Sequence, residues 1–114
     1  MSYLVHVKFD FNGVHGDWEK DLDHTFPFDR AVAAMNALPN LKWKIWGSNE
    51  DHTELCGFYL YPTKEAAIAR AEQAKATLHL YDGISNVRPD IWEILDDYSV
   101  ATHAPVDVPM ISEL

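Results

Sequence analysis

Near the N-terminus, apolar and other residues alternate with a period of two. The apolar positions are Tyr3, Val5, Val7, Phe9 and Phe11, and Leu4, His6, Lys8 and Asp10 lie between them. This alternation is typical of a half-buried β-strand, whose successive side chains point to opposite faces of a sheet. Asn12 and Gly13 interrupt it, and both residues are common in turns. We therefore predict a first strand from Tyr3 to Phe11, followed by an irregular loop through Gly16 and Asp17.

A helical period follows this loop. Apolar residues recur at intervals of three and four at Phe28, Ala31, Val32, Met35 and Leu38. This spacing places them on one face and predicts an amphipathic helix near residues 26–38. We expect Thr25 to cap the helix, Pro27 to lie within its first turn, and Pro39 to mark its end.

A second helix is predicted from Lys64 to Leu80, a segment rich in the good helix formers Ala, Glu, Lys and Gln. Thr63 precedes it and is placed to cap it. Its apolar face is mostly short-chained and consists of Ala67, Ile68, Ala71, Ala74 and Leu78. Alanines allow a helix to lie close to a sheet, which is the interpretation we favour. A cavity beneath the helix is the alternative.

Three shorter segments are predicted to be strands. Leu41–Gly47 is rich in Trp and Ile, Leu55–Tyr61 is rich in aromatic residues, and Ile91–Leu95 follows a turn signal. The polar residues 48–53 are expected to form a hairpin loop between the first two of these strands. Residues 99–114 form a C-terminal tail with neither helical nor strand periodicity.

The predicted element order is β-α-β-β-α-β in a single domain spanning residues 1–114. This order is typical of the ferredoxin-like α+β fold, in which a four-stranded antiparallel sheet carries two helices on one face. The other face of such a sheet is uncovered, yet Trp43 and Ile45 point to one side of their strand while Trp46 points to the other. Apolar residues on both sides predict a face-to-face homodimer.

Composition narrows the classes of partner. Nine Lys and Arg against eighteen Asp and Glu give a formal charge of −9, which repels nucleic acids and anionic membrane surfaces. Cys56 is the only cysteine, so neither an internal disulfide nor a cysteine zinc motif is expected. The six histidines are scattered, and no metal site is predicted. The N-terminus lacks the features of a secretory signal, and we expect a cytoplasmic protein.

Several motifs together resemble those of one family. They are Phe9-Asp10-Phe11-Asn12-Gly13 with Gly16-Asp17 after it, Pro39 leading into Trp43-Lys44-Ile45-Trp46, Gly57-Phe58-Tyr59-Leu60-Tyr61, and the final strand around Ile91 to Ile94. On these residues the chain resembles the YdhR family, which belongs to the dimeric α/β-barrel superfamily. The members of the YdhR family are assigned as monooxygenases. It departs from the family pattern at Asn40, at Cys56 and in its longer tail.

The resemblance implies a homodimer whose two sheets form a barrel, with a pocket between sheet and helices in each subunit. Related members of the wider superfamily oxidise aromatic substrates with molecular oxygen and without metal or flavin. The function implied is therefore that of a cofactor-independent monooxygenase, an oxidoreductase acting on phenolic or polycyclic aromatic small molecules. The alternative is a non-catalytic dimeric module that binds a small apolar metabolite.

Three residues are candidates for catalysis. Asn12, at the end of the first strand, can donate its amide hydrogens to a substrate oxyanion, or it can bond its own backbone as a turn residue. Trp46 can stack on an aromatic substrate and hold an oxygen through its indole N–H. His15 has an ordinary pKa near neutrality, which suits a general base, although exposure in a loop is the alternative.

Four aromatic residues are candidates for substrate binding. Phe9, Trp43, Tyr59 and Trp92 can form an apolar wall, and Tyr59 can supply a phenolic donor as well. Packing in the core or at an interface is the alternative for these residues.

Overall fold

The structure is a computed structural model that describes residues 1–114. Its first strand lies in the interior of the sheet. Four strands are present: β1 (Tyr3–Phe11), β2 (Trp43–Ser48), β3 (Glu54–Tyr61) and β4 (Ile84–Glu93). Their order across the sheet is β2-β3-β1-β4, and every neighbouring pair is antiparallel. This confirms the predicted ferredoxin-like α+β fold, since that topology places the first strand between the third and the fourth.

Three helices cover one face of the sheet, and a fourth lies in the C-terminal segment. They are α1 (Trp18–Thr25), α2 (Phe28–Asn36), α3 (Lys64–Thr77), which continues into a 3-10 turn at Leu78–Leu80, and α4 (Asp96–Ala101). A second 3-10 turn spans Ile111–Glu113. None of the helices has both the length and the apolarity needed to cross a bilayer.

The core lies between the sheet and the first three helices. On β1, Val5 and Val7 are almost fully buried, as the period of two predicts. Ala67 and Ala74 of α3 are buried against the same cluster, as close packing predicts. Ala66, Ala69 and Ala74 also line a cavity, so the alternative of a cavity beside this helix holds along part of it. Thr63 caps α3 as predicted, because its Oγ1 accepts a hydrogen bond from the backbone N–H of Ala66 at 3.2 Å.

The helix predicted near residues 26–38 is confirmed as α2, but the preceding segment, which was predicted to be a loop, contains a further helix, α1. The Asp17 carboxylate caps α1 by accepting from the backbone N–H groups of Glu19 at 3.1 Å and Lys20 at 3.4 Å. Thr25 does not cap α2; it ends α1, and its Oγ1 donates to the Asp82 carbonyl at 3.0 Å. A carboxylate at the N-cap favours a short helix even in a segment rich in turn residues.

The last strand begins seven residues before its predicted start at Ile91, because β4 runs from Ile84. The prediction failed here because Asn86 and Pro89 are poor strand formers. Pro89 is tolerated since β4 is an edge strand that pairs only with β1, and a proline there leaves no interior ladder bond unmade. Asn40 adopts a φ of 65°, a left-handed geometry that asparagine tolerates.

The C-terminal tail folds back on the sheet and is not without structure, since it contains α4 and the second 3-10 turn. The indole N–H of Trp43 donates to the Pro105 carbonyl at 2.9 Å, and Lys42 Nζ donates to the Val106 carbonyl at 2.8 Å. Trp43 and its partner Leu60 lie on the sheet face opposite the helices, and Leu60 is only 1% exposed. The tail therefore covers part of that face.

Replacing Leu41 by alanine should lower the free energy of unfolding by about 2–5 kcal/mol, because Leu41 is fully buried and its loss leaves a cavity. Urea unfolding followed by circular dichroism measures the change. Leu80→Ala is the matched control, since Leu80 is 72% exposed, and we expect it to change stability by less than about 0.5 kcal/mol. Equal losses in the two variants would contradict this account of the core.

Candidate functional site

A cleft with two adjoining lobes lies between the sheet and helices α2 and α3. The aromatic lobe has a volume of about 430 Å³ and includes Phe9, Trp18, Phe26, Trp46 and Tyr59 in its lining. The helical lobe, between α2 and α3, has a volume of about 560 Å³ and includes Met35, Tyr61, Ala66, Arg70 and Gln73. Both volumes lie in the range of ~300–1,000 Å³ that is typical of small-molecule sites.

The cleft exists because α2 packs only loosely on the core, with Met35 partly buried against it. None of its residues is buried, although its sequence has the apolar face that the helical period predicts. Phe28, Ala31 and Val32 of this face line the aromatic lobe, and Met35 lines the helical lobe. The apolar face of α2 therefore borders the cleft over much of its length, and α3 borders the helical lobe from the other side.

Gly57 makes room for a side chain on the neighbouring strand. It pairs with Trp46, two positions along the ladder from the pair formed by Lys44 and Tyr59 and on the same face of the sheet. A Cβ atom at residue 57 would lie 3.0 Å from Lys44 Cε and 3.1 Å from Tyr59 Cε1. Both distances are tighter than ordinary carbon contacts, which favour about 3.5–4.0 Å. The glycine therefore allows Lys44 to lie across the strand towards Tyr59.

Lys44 is the central cation of the cleft and lines both lobes. Its Nζ lies 3.4 Å from the ring centroid of Trp46 and 4.6 Å from that of Tyr59, within cation–π range of both rings. Its hydrogen bond goes to Met35 Sδ at 3.6 Å, a weak acceptor. Burial, with a smaller contribution from the charge of Arg70, lowers the pKa of Lys44 to about 7. Lys44 can thus hold or release a proton near neutral pH.

Tyr59 and Arg70 complete the polar part of the site. Burial raises the pKa of Tyr59 to about 12, although the Arg70 charge opposes this, so the phenol remains a hydrogen-bond donor at neutral pH. The Arg70 guanidinium lies 5.3 Å from the Tyr59 ring, and its Nε donates to the Tyr61 hydroxyl at 3.2 Å. No carboxylate forms an ion pair with Lys44 or Arg70.

The structure brings three of the predicted site residues together at the cleft, namely Phe9, Trp46 and Tyr59. Trp43 and Trp92 are placed elsewhere, on the opposite face of the sheet. Trp43 bonds the tail, and Trp92, which pairs with Leu4, is 58% exposed. Side chains of successive strand residues point to opposite faces, so neither tryptophan can reach the cleft from its position.

Asn12 and His15 lie beyond the end of β1 and do not line either lobe of the cleft. Asn12 is exposed, and its backbone N–H donates to the Gly83 carbonyl at 2.9 Å. The ring of His15 bonds through Nδ1 to the Asp21 carboxylate at 2.8 Å. Desolvation opposes ionisation of Asp21, yet the hydrogen bonds from His15 hold its pKa below the ordinary value. This pairing ties the loop to α1.

Sequence reasoning missed Lys44 as a site residue. Lys44 lies two positions before Trp46, so the strand period places both side chains on the same face. The signal was therefore a lysine at an inward-facing position of a strand, where an unpaired cation is rarely found without a role.

A comparison with known families identifies the family of this chain. A profile described as "Putative mono-oxygenase ydhR" matches residues 4–105. The chain belongs to the YdhR family. The match covers β1 from its second residue onwards, the other three strands, and helices α1 to α4. No curated protein is significantly similar to this YdhR-family chain in sequence.

Solved structures share the fold at low sequence identity. Rv0793 from Mycobacterium tuberculosis is 16% identical, with a TM-score of 0.58 over 84% of this chain and 97% of that one. A monooxygenase from the gene ActVA-Orf6 of Streptomyces coelicolor, in complex with nanaomycin D, is 12% identical, with a TM-score of 0.57 over 82% and 87%. A variant of SnoaB, a cofactor-independent oxygenase from Streptomyces nogalater, is 13% identical, with a TM-score of 0.54 over 82% and 93%. These similarities establish the fold alone.

The depressed pKa of Lys44 should appear in the pH dependence of stability. Below a pH of about 7 the buried ammonium is charged and destabilises the fold. Between about 7 and the ordinary lysine value the unfolded chain binds more protons, so stability rises with pH. We expect Lys44→Met to be more stable than the parent at pH 6 by roughly 1–3 kcal/mol, and the difference to shrink by pH 10.

Urea unfolding at several pH values measures this difference. Lys20→Met is the matched control, because Lys20 is exposed on α1; its profile should run parallel to that of the parent. A parallel profile for Lys44→Met as well would contradict the assignment.

Proposed function

We propose that this YdhR-family chain is a cofactor-independent monooxygenase that oxidises phenolic or polycyclic aromatic small molecules with molecular oxygen. The observation that carries the proposal is Lys44, an amine without an anionic partner between two aromatic rings in a cleft of small-molecule size. Such an amine can remove a phenolic proton and then remain as an ammonium beside the phenolate. Lys44 thus takes the oxyanion role that the sequence suggested for Asn12.

The proposed reaction needs no external reductant. Neutral Lys44 accepts the proton of a bound naphthol, and the naphtholate passes one electron to molecular oxygen. The resulting radicals combine in a carbon–oxygen bond, and the peroxide takes the proton back from the Lys44 ammonium. The hydroperoxide then loses water together with the hydrogen of the same ring carbon. For 1-naphthol the products are 1,4-naphthoquinone and water, so one oxygen atom enters the product and the other leaves as water. The ring supplies all the electrons that reduce oxygen.

The other cleft residues suit an aromatic substrate. Trp46 offers an exposed indole face for stacking, and the Tyr59 phenol supplies a donor for a second oxygen. The names of the solved relatives support the same chemistry, since one is a cofactor-independent oxygenase and another is a monooxygenase in complex with nanaomycin D. These properties belong to those proteins and come to this chain as part of the proposal.

The second candidate is a non-catalytic module that binds a small apolar metabolite. The apolar lining of the aromatic lobe favours this function, because twelve of its sixteen residues are hydrophobic and such a lining binds apolar molecules without further chemistry. Oxygen consumption distinguishes the two candidates.

We also propose that two copies of the chain pair through the sheet face opposite the helices. The tail covers only part of this face, and it leaves Ile45 and Trp92 53% and 58% exposed. On the same face, His6 and Phe58 form a flat stacked pair with ring centroids 4.3 Å apart. A second copy of this face would bury these residues, which suits an isologous dimer.

Sedimentation equilibrium should show that the protein is a dimer at a protein concentration of about 100 µM. We expect Ile45→Glu to shift the protein to a monomer, because the partner face would bury the new charge. Leu80→Glu is the control, since Leu80 is similarly exposed but follows α3 on the helix side. A monomeric parent protein, or equal behaviour of the two variants, would contradict the dimer.

Purified protein should consume oxygen in the presence of 1-naphthol without added metal or flavin. We expect kcat/KM to rise with pH through about 7, the pKa of Lys44 in the free protein, since the base must be unprotonated. Lys44→Met should lower kcat by at least about 100-fold, whereas Lys20→Met should retain the parent rate. Calorimetry under nitrogen measures naphthol binding separately. Naphthol that binds without any enzyme-dependent oxygen uptake would favour the binding module.

A further inference from the structure

We propose that the substrate carries a carboxylate in addition to its phenolic oxygen, and that Arg70 binds this carboxylate in the helical lobe while Lys44 holds the phenolic oxygen. The substrate class is therefore a hydroxylated polycyclic aromatic acid. The assignment of the phenolic end rests on the proposed function, whereas the arginine site rests on its own geometry.

The charges that line the cleft are all of one sign. Lys44 is the one charged residue of the aromatic lobe, Lys44 and Arg70 are those of the helical lobe, and no Asp or Glu lines either lobe. The chain has twice as many acidic as basic residues, and its net charge repels anions over most of its surface. A lining with two cations and no acid is therefore a local reversal of the charge of the protein, and it favours an anionic ligand.

Arg70 differs from the arginine on β4 in its partners. Arg88 binds the carboxylates of Asp10 at 3.2 Å and Glu54 at 2.7 Å. Arg70 binds no carboxylate, and its hydrogen bond uses Nε alone, which donates to the Tyr61 hydroxyl. Its two terminal amino groups therefore have no acceptor from the protein. In guanidinium groups these donors form a planar fork that matches a carboxylate.

Contacts on the guanidinium fix the direction of this fork. The Tyr61 hydroxyl accepts from Nε, and the Tyr59 ring lies 5.3 Å from the guanidinium carbon. Arg70 is partly buried and lines the helical lobe. A cation held in this way keeps little rotamer freedom, so less ordering is needed when a ligand binds.

The distance between the two cations sets the size of the ligand. Lys44 Nζ is 4.6 Å and the Arg70 guanidinium carbon is 5.3 Å from the same Tyr59 ring centroid. The two charges are therefore no more than about 10 Å apart. Within this limit both cations can lie along one face of two fused rings, one beside a hydroxyl at one end and the other beside a carboxylate at the other end, with the Tyr59 ring next to both cations.

Binding of matched acids and esters tests this inference. The probes are 6-hydroxy-2-naphthoate, its isomer 3-hydroxy-2-naphthoate, and the methyl ester of each, measured by calorimetry under nitrogen. We expect the unaltered protein to bind 6-hydroxy-2-naphthoate at least about tenfold more tightly than its ester, as one charge-assisted interaction provides. The preference should be smaller for the isomer, whose two oxygen groups are adjacent.

Two variants of Arg70 and one control identify the group responsible. Arg70→Met should abolish the preference for the acid and leave the affinity for the ester nearly unchanged. Arg70→Lys keeps the charge without the planar fork and should lower the preference without abolishing it. Arg30→Met removes the same charge from an exposed position on α2 and should leave the preference intact. Melting curves confirm that each variant is folded.

The inference is overturned if acid and ester bind equally, if neither acid binds, or if Arg30→Met lowers the preference as much as Arg70→Met. It is also overturned if Arg70→Lys retains the full preference. Oxygen uptake from 1-naphthol, which has no carboxylate, is measured on the unaltered protein. Failure of the carboxylate site is therefore distinguishable from failure of the proposed oxygenation.

Discussion

The inward face of β1 constrains the rest of the molecule, because this strand is paired on both sides and carries buried residues at alternate positions. Val5 and Val7 lie at the centre of the core, and their neighbours in β3 and β4 must face the same way. A shift of one residue in either pairing would turn the apolar side chains away from the helices. The register of β1 therefore also determines which side chains of β3, and through it of β2, reach the cleft.

The cleft combines a loosely covered sheet with a desolvated cation. Helix α2 contributes no buried residue, so the apolar surface beneath it is available to a ligand. Lys44 lies there between aromatic rings and without a carboxylate, so no ion pair offsets the cost of desolvating its charge. Gly57 is part of the same arrangement, because a larger residue would displace Lys44 or Tyr59.

Local patterns in the sequence predicted most of the fold. The strict alternation from Tyr3 to Phe11 and the alanine-rich segment after Thr63 were long enough to identify β1 and α3. Helix α1 was not predicted because the turn residues before it indicated a loop, although Asp17 among them caps the helix. Strand β4 was predicted too short because Pro89 is unfavourable in most strands.

The site was predicted only in part. The period of two along a strand assigns Trp46 and Tyr59 to one face of the sheet, but it does not determine which helices and side chains lie against that face. The distance at which α2 stands from the sheet, and the missing anion beside Lys44, depend on contacts between segments far apart in the chain.

Pro89 also has a consequence for the behaviour of the protein in concentrated solution. It lies on the outer edge of the sheet and offers no N–H to an incoming strand, and charged residues flank it at Arg88 and Asp90. These features hinder the addition of another strand at this edge. The residue that made β4 hard to recognise thus protects the sheet against growth into ordered aggregates.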